Sequence, residues 1–181
     1  MRSIMRPKTP DSLALVAGTT FRKYSSFTQV TREEIQFIRQ LALAGEPHRA
    51  RINLHCDDDA LVHEMIIAMG PLSLSPPHFH RDKSESFHVL SGVLRVGILD
   101  HLGTLLEILE LSADMSPCYR MNDDLNHFPV AASDVVVFHE TTNGPFRKGE
   151  SLRLDDWART MTTTDLAALR ARVLGNPTGK Q

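Results

Sequence analysis

Two histidines one residue apart, His78 and His80, with Glu85 following five residues after the second, constrain this chain more than any other feature. In a β-strand, residues two apart share a face, so the two imidazoles can point at one place in space. Glu85 lies at an odd offset from both histidines and would face the other way on an unbroken strand. The polar run Arg81-Asp82-Lys83-Ser84 is therefore expected to be a turn or bulge that returns the carboxylate to the histidine side. Two neutral nitrogen donors and one anionic oxygen then converge, a transition-metal ligand set short of a fourth donor. The chain holds nine histidines, so one His-x-His can arise by chance. The setting argues against chance: the pair follows Pro76-Pro77, and Glu85 opens an apolar run that ends at Ser91-Gly92, a hairpin signal.

His78-x-His80, then Glu85, then Gly92, resembles the first motif of the cupins. These are small β-barrels that hold one metal with two histidines, one glutamate and a third, later histidine. More narrowly, the chain is similar to the WbuC-type cupin-fold metalloproteins. The residues that carry this likeness are Arg49-x-Arg51 leading to His55, Lys83-Ser84-Glu85 after the histidine pair, and Glu140 with Gly144-Pro145-Phe146 behind it. The likeness runs from about Arg49 to Trp157. It implies an all-β fold, a small antiparallel cupin barrel (double-stranded β-helix, or jelly-roll) flanked by an N-terminal and a C-terminal helix. It also implies His127 as the fourth ligand. The second cupin motif is degenerate: where Pro-x-Gly-x-x-His is usual, this chain has Asn122, Asp124 and His127. Asparagine and aspartate tolerate the tight-turn conformation that glycine would supply, so the departure bears on the loop's shape more than on the ligand.

With 181 residues, 41% of them hydrophobic, the chain can bury one core and is short for two. The division expected is an arm and helix over 1–48, a barrel over 49–146 and a helical extension over 147–181. Twenty basic residues against 22 acidic ones, with no basic cluster beside aromatics, exclude a nucleic-acid interface. Cys56 and Cys118 lack CxxC spacing and read as reduced thiols of a cytoplasmic protein. Arg2, Arg6 and Lys8 ahead of Leu13 to Ala17 mimic a signal peptide, but five apolar residues are too few, and no run is long enough to span a membrane.

Residues 1 to about 30 show no period. Thr31-Arg32-Glu33-Glu34 is a capping box, and Ile35, Ile38, Leu41 and Ala42 recur at helical spacing until Gly45 and Pro47. Strands follow over Arg51 to His55 and Leu61 to Met69. His48, His55 and His63 read as structural or surface histidines, with His55 the one to watch. If Ser91-Gly92 is a two-residue hairpin loop, Glu85 pairs with Ile98, Phe87 with Val96 and Val89 with Leu94, which puts an apolar lumen on the metal side and sends His88 and Arg95 outward. Asp100 to Gly103 is a turn with His101 solvated, and Thr104 to Leu111 is a strand. Asn126 to Ala132 and Asp134 to Glu140 form a last hairpin; an even loop puts Glu140 on the face of His127, and a three-residue loop puts His139 there. Leu166, Leu169, Val173 and Leu174 form a helical stripe, with Gly175 and Pro177 beyond it. This stripe and the arm both need cover, from which a homodimer is expected.

The ligand set expected is His78, His80, Glu85 and His127 around one divalent transition metal: iron, manganese, zinc or nickel. Glu140 is either a general acid or base or a rim hydrogen-bond anchor. Lys83, and by the resemblance Arg49, Arg51 and His55, are the candidates to hold a small anionic ligand. The function expected is a metal-dependent enzyme, an isomerase or epimerase, on a small polar or anionic metabolite; a sugar or sugar nucleotide follows only from the polysaccharide and O-antigen setting of the WbuC-type proteins. The alternatives are a non-catalytic metal- and ligand-binding or sensor module, an iron-dependent cupin dioxygenase, and a metal that only holds the barrel together.

Overall fold

The computed structural model describes residues 7–122, 124–147 and 149–175. Along the chain run β1 (Ala14–Ala17), β2 (Thr20–Arg22), α1 (Arg32–Ala44), β3 (Arg49–Asn53), β4 (Val62–Met69), β5 (Glu85–Ser91), β6 (Val93–Leu99), β7 (Leu105–Ser112), β8 (Cys118–Met121), β9 (Asn126–Ala131), β10 (Val136–Asn143), α2 (Asp156–Arg159) and α3 (Thr163–Leu174). Seven strands form one sheet in the order β1-β2-β3-β4-β10-β5-β8, and three form another in the order β7-β6-β9. Neighbours are antiparallel except β2 and β3. The mostly antiparallel, two-sheet arrangement is consistent with a jelly-roll.

Side-chain parity sorts the strands into layers. In β4, Met65, Ile67 and Met69 point between the sheets, where they meet Phe87, Val89, Leu94, Val96, Ile98 and Phe138. Ile66 and Ala68, on the other face, pack with Phe37, Ile38, Leu41 and Ala42 of α1. A strand buried on both faces reads as a continuous apolar run, which is why β4 shows no alternation. On the far side, Phe128 and Val130 of β9 meet Leu166, Leu169 and Val173 of α3. The helices thus cover the outer faces of the two sheets.

Several elements differ from the sequence reading. Ser91-Gly92 joins no hairpin: β5 pairs with β10 and β8, while β6 pairs with β7 and β9. The turn carries the chain from one sheet to the other. The faces come out as expected because sheets that face each other bury the same alternate residues as a paired hairpin would. Gly92 makes the corner possible at φ +81, where a Cβ would sit 2.5 Å from the Val135 carbonyl oxygen. The connection from β9 to β10 is a second corner between sheets, not a hairpin.

The aperiodic arm contributes β1 and β2 to the large sheet. It is tied down through Glu34, whose buried carboxylate accepts hydrogen bonds from Ser12 Oγ and Lys23 Nζ, both at 2.6 Å, and caps α1 through the Thr31 N–H. At the other end, Arg95 donates to the Leu174 and Gly175 carbonyls at 2.7 and 2.9 Å, answering the acceptors left open at the end of α3. The stripe of α3 is thus packed within the chain, whereas the arm is tied down but leaves Leu15 and Val16 of β1 exposed. His101 is engaged rather than simply solvated, 2.9 Å from Asp155 Oδ2. Ala14–Ala17, the apolar part of the signal-like stretch, is strand; Arg2, Arg6 and Pro177 lie outside the described residues. Among the described residues no helix is long and apolar enough to cross a membrane.

Candidate metal centre and its cavity

Glu85 begins β5 in the large sheet, and His127 stands second in β9 of the small one. His78 is brought in by a short antiparallel bridge: its N–H donates to the His127 carbonyl, and the His127 N–H donates back at 2.9 Å. Asp82, at φ +56, makes the reversal that restores Glu85 to the histidine side. The Nε2 atoms of His80 and His127 each lie 3.2 Å from one oxygen of the Glu85 carboxylate. One ring nitrogen from each of His78, His80 and His127 falls within 4.8 Å of the others.

These spacings suit one metal ion. Two donors about 2.1 Å from a metal and at right angles to each other are about 3 Å apart. Tautomers fit as well: His78 Nδ1 donates to the Pro76 carbonyl at 3.1 Å and His80 Nδ1 to the Ser151 carbonyl at 2.6 Å, which leaves Nε2 as a lone-pair donor on each ring. His80 Nε2 and Glu85 Oε1 are buried with no properly aligned hydrogen-bond partner. Buried polar atoms of this kind are costly unless something binds them. Burial alone would raise Glu85, but the facing His127 and His80 imidazoles outweigh it and hold the carboxyl at about 2. Burial pushes His78 and His127 down, so both stay neutral and able to ligate. His88 is exposed on the outer face of β5.

The histidines and Glu85 line a cavity of about 440 Å³, and so do Glu140, Arg49, Arg51, His55 and Lys83. Strand register places these groups. Across the inner face of the large sheet, Glu85 is level with Thr142 and His63, and the next row holds Phe87, Glu140, Met65 and Asn53. Burial and the charge on Glu85 raise the Glu140 carboxyl to about 7, against the pull of Arg49 and Arg51. His139 points away and lies 3.4 Å from Glu64.

Lys83, a candidate to hold an anionic ligand, lines the cavity with its ammonium already engaged. Its Nζ donates to the Asn143 and Pro145 carbonyls, both at 2.8 Å, and so ties the turn before β5 to the segment after β10. Gly144 lets that segment pass close to residue 60, because a Cβ there would collide with the Ala60 carbonyl. His55 is buried and stacked on His63 with ring centroids 4.0 Å apart, and burial and His63 lower it to about 4. Sequence reasoning missed Asn53 and His63 as cavity residues. Asn53 was within reach, since it shares the parity of Arg49 and Arg51; His63 needed the pairing of β4 with β10.

Residues 30–111 match a family model described as a domain of unknown function, DUF6016. No curated protein matches the chain. Among solved structures, protein SO0799 from Shewanella oneidensis superposes with a TM-score of 0.50 at 12% identity, over 70% of this chain and 86% of that one. The capsular polysaccharide assembling protein CapF from Staphylococcus aureus gives 0.48 at 18% identity over 57% of this chain, which spans only 29% of CapF. Oxalate oxidase in complex with glycolate gives 0.48 at 16% identity, over 74% and 76%. CapF and oxalate oxidase are cupin-fold proteins. At these identities the likeness concerns fold alone.

Proposed function

We propose that this chain is a metal-binding protein of the cupin kind, and that it is an enzyme acting on a small polar or anionic metabolite. The observation that carries the reading is the convergence of three imidazoles, two of which each face a different oxygen of one buried carboxylate. His78, His80, Glu85 and His127 would hold one divalent transition metal. Such an ion supplies Lewis acidity, a lowered pKa for bound water, or a site for dioxygen beside a substrate. Glu140 supports the enzymatic reading, because a carboxyl held near 7 can both accept and donate a proton at neutral pH. The resemblance to WbuC-type proteins favours a sugar-related substrate.

Metal analysis of the tag-free protein tests the proposal. About one ion per chain is expected in the native protein, and Glu85→Ala and His127→Ala should each lose it while keeping their β-sheet spectrum. Iron would favour oxygen chemistry; manganese or zinc would favour isomerisation. Full metal retention in both variants would reject the site.

A further inference from the structure

We infer that the wall of the cavity built by β3 binds an oxyanion, a carboxylate or phosphoryl group, on a small ligand whose other end faces the three histidines. This rests on the metal-centre reading for the ligand's far end only; the wall itself stands on separate residues. In β3, Ala50 and Ile52 are buried beneath α1, so Arg49, Arg51 and Asn53 all share the opposite, cavity face. A core strand would put apolar residues there, as its neighbour β4 does with Met65, Ile67 and Met69.

The cations around this cavity are not equivalent. Arg22 is bonded to Asp58 at 2.9 Å, and Lys83 is held by two carbonyls. Arg49 has neither: among the described residues its guanidinium makes no hydrogen bond or ion pair, and its Nε is buried. Arg51 reaches only the Met65 thioether at 3.6 Å, a weak acceptor. Asn53 is 7% exposed, and its Oδ1 has no partner, so nothing fixes which end of the amide faces the cavity. Burial lowers the Arg49 pKa, and the charges of Glu140 and Glu85 oppose that shift without either carboxylate bonding the guanidinium.

Two guanidinium groups with no ion-pair partner among the described residues, and an unsatisfied amide, form a donor array on one wall, and oxyanions match arginine's fork geometry with paired hydrogen bonds. A neutral ligand that displaced water from Arg49 would leave its charge uncompensated. The cavity's volume suits a small metabolite rather than a polymer.

Calorimetric titration of inorganic phosphate and of malonate into the full chain, metal-loaded and metal-stripped, separates the two oxyanion sources. At least one anion should bind the stripped protein, and Arg49→Met and Arg51→Met should each weaken it tenfold or more with metal content unchanged. Arg51 is exposed, so its variant decides the matter if Arg49→Met does not fold. Neither anion binding the wild type would overturn the inference. So would wild-type affinity in the variants, or binding that needs metal and survives both substitutions. Metal content of the wild type is read beforehand; a chain that holds no metal yet binds anion through Arg49 and Arg51 refutes the metal reading and keeps this one.

Discussion

Glu140 shows how position alone can set a residue's chemistry. It sits one row from Glu85 on the same inner face, and burial together with that neighbouring negative charge raises its carboxyl from the ordinary range to about 7. The unfolded chain ionises it near 4.5, so the metal-free fold loses stability as pH rises from there through 7. Glu140→Gln should therefore stabilise the metal-free protein by about 1–3 kcal/mol at pH 8 and by little at pH 4.5. Urea unfolding at the two pH values checks it; an equal effect at both would show that the carboxyl titrates normally. His55 is likewise held in its neutral form, but by losing a proton instead of keeping one, so its stability sense is opposite: neutral down to about 4, it contributes stability that is lost as pH falls from 6.5. At this scale the sequence was informative wherever parity sufficed. His78, His80 and Glu85 are near neighbours whose faces follow from alternation and one turn. The partners of Lys83, the carbonyls of Asn143 and Pro145, were not legible because they lie some sixty residues away and leave no local signal.

The elements themselves were easier to locate than their partners. Thr31 and Glu34 announce α1 through reciprocal capping, and Thr162 with Asp165 does the same for α3. β1 and β2 were invisible, being only four and three residues long and held by sheet pairing and by Glu34 rather than by any period of their own. Ser91-Gly92 was read as a hairpin loop because a glycine turn between two alternating runs signals a hairpin and a corner between facing sheets alike. The corner makes its own demand on Gly92. An alanine would need a left-handed backbone and would place its Cβ 2.5 Å from the Val135 oxygen and 2.6 Å from Ser133 Oγ. Gly92→Ala should cost roughly 2–4 kcal/mol, from strain and backbone displacement together. A thermal melt unchanged from the wild type would mean that the corner is not as tightly packed as these distances require.

At the scale of the whole molecule, the candidate metal centre sits where the two sheets meet, with Glu85 on one and His127 on the other. A metal there would act as a cross-link between sheets as well as a reactive centre. Whether the fold depends on it is decided by what else joins the layers. Phe87, Val89, Leu94, Val96, Ile98 and Phe138 fill the space between the sheets with side chains no more than 8% exposed, and each outer face has its own helix and apolar cluster. That core does not include the ligands and is large enough to fold a chain of this length. Chelation should therefore leave the far-ultraviolet β spectrum intact while lowering the melting temperature. An ion present at a hundred to a thousand times its dissociation constant contributes roughly 3–4 kcal/mol, which corresponds to a fall of about 5–15 °C at this size. The ligating histidines hold no protons while they bind an ion, and protons compete with metal for them, so the loaded protein should lose stability more steeply on acidification than the stripped one. A chain that unfolds outright on chelation at neutral pH would instead make the metal a structural staple, and the cavity beside it would then need no reaction to explain it.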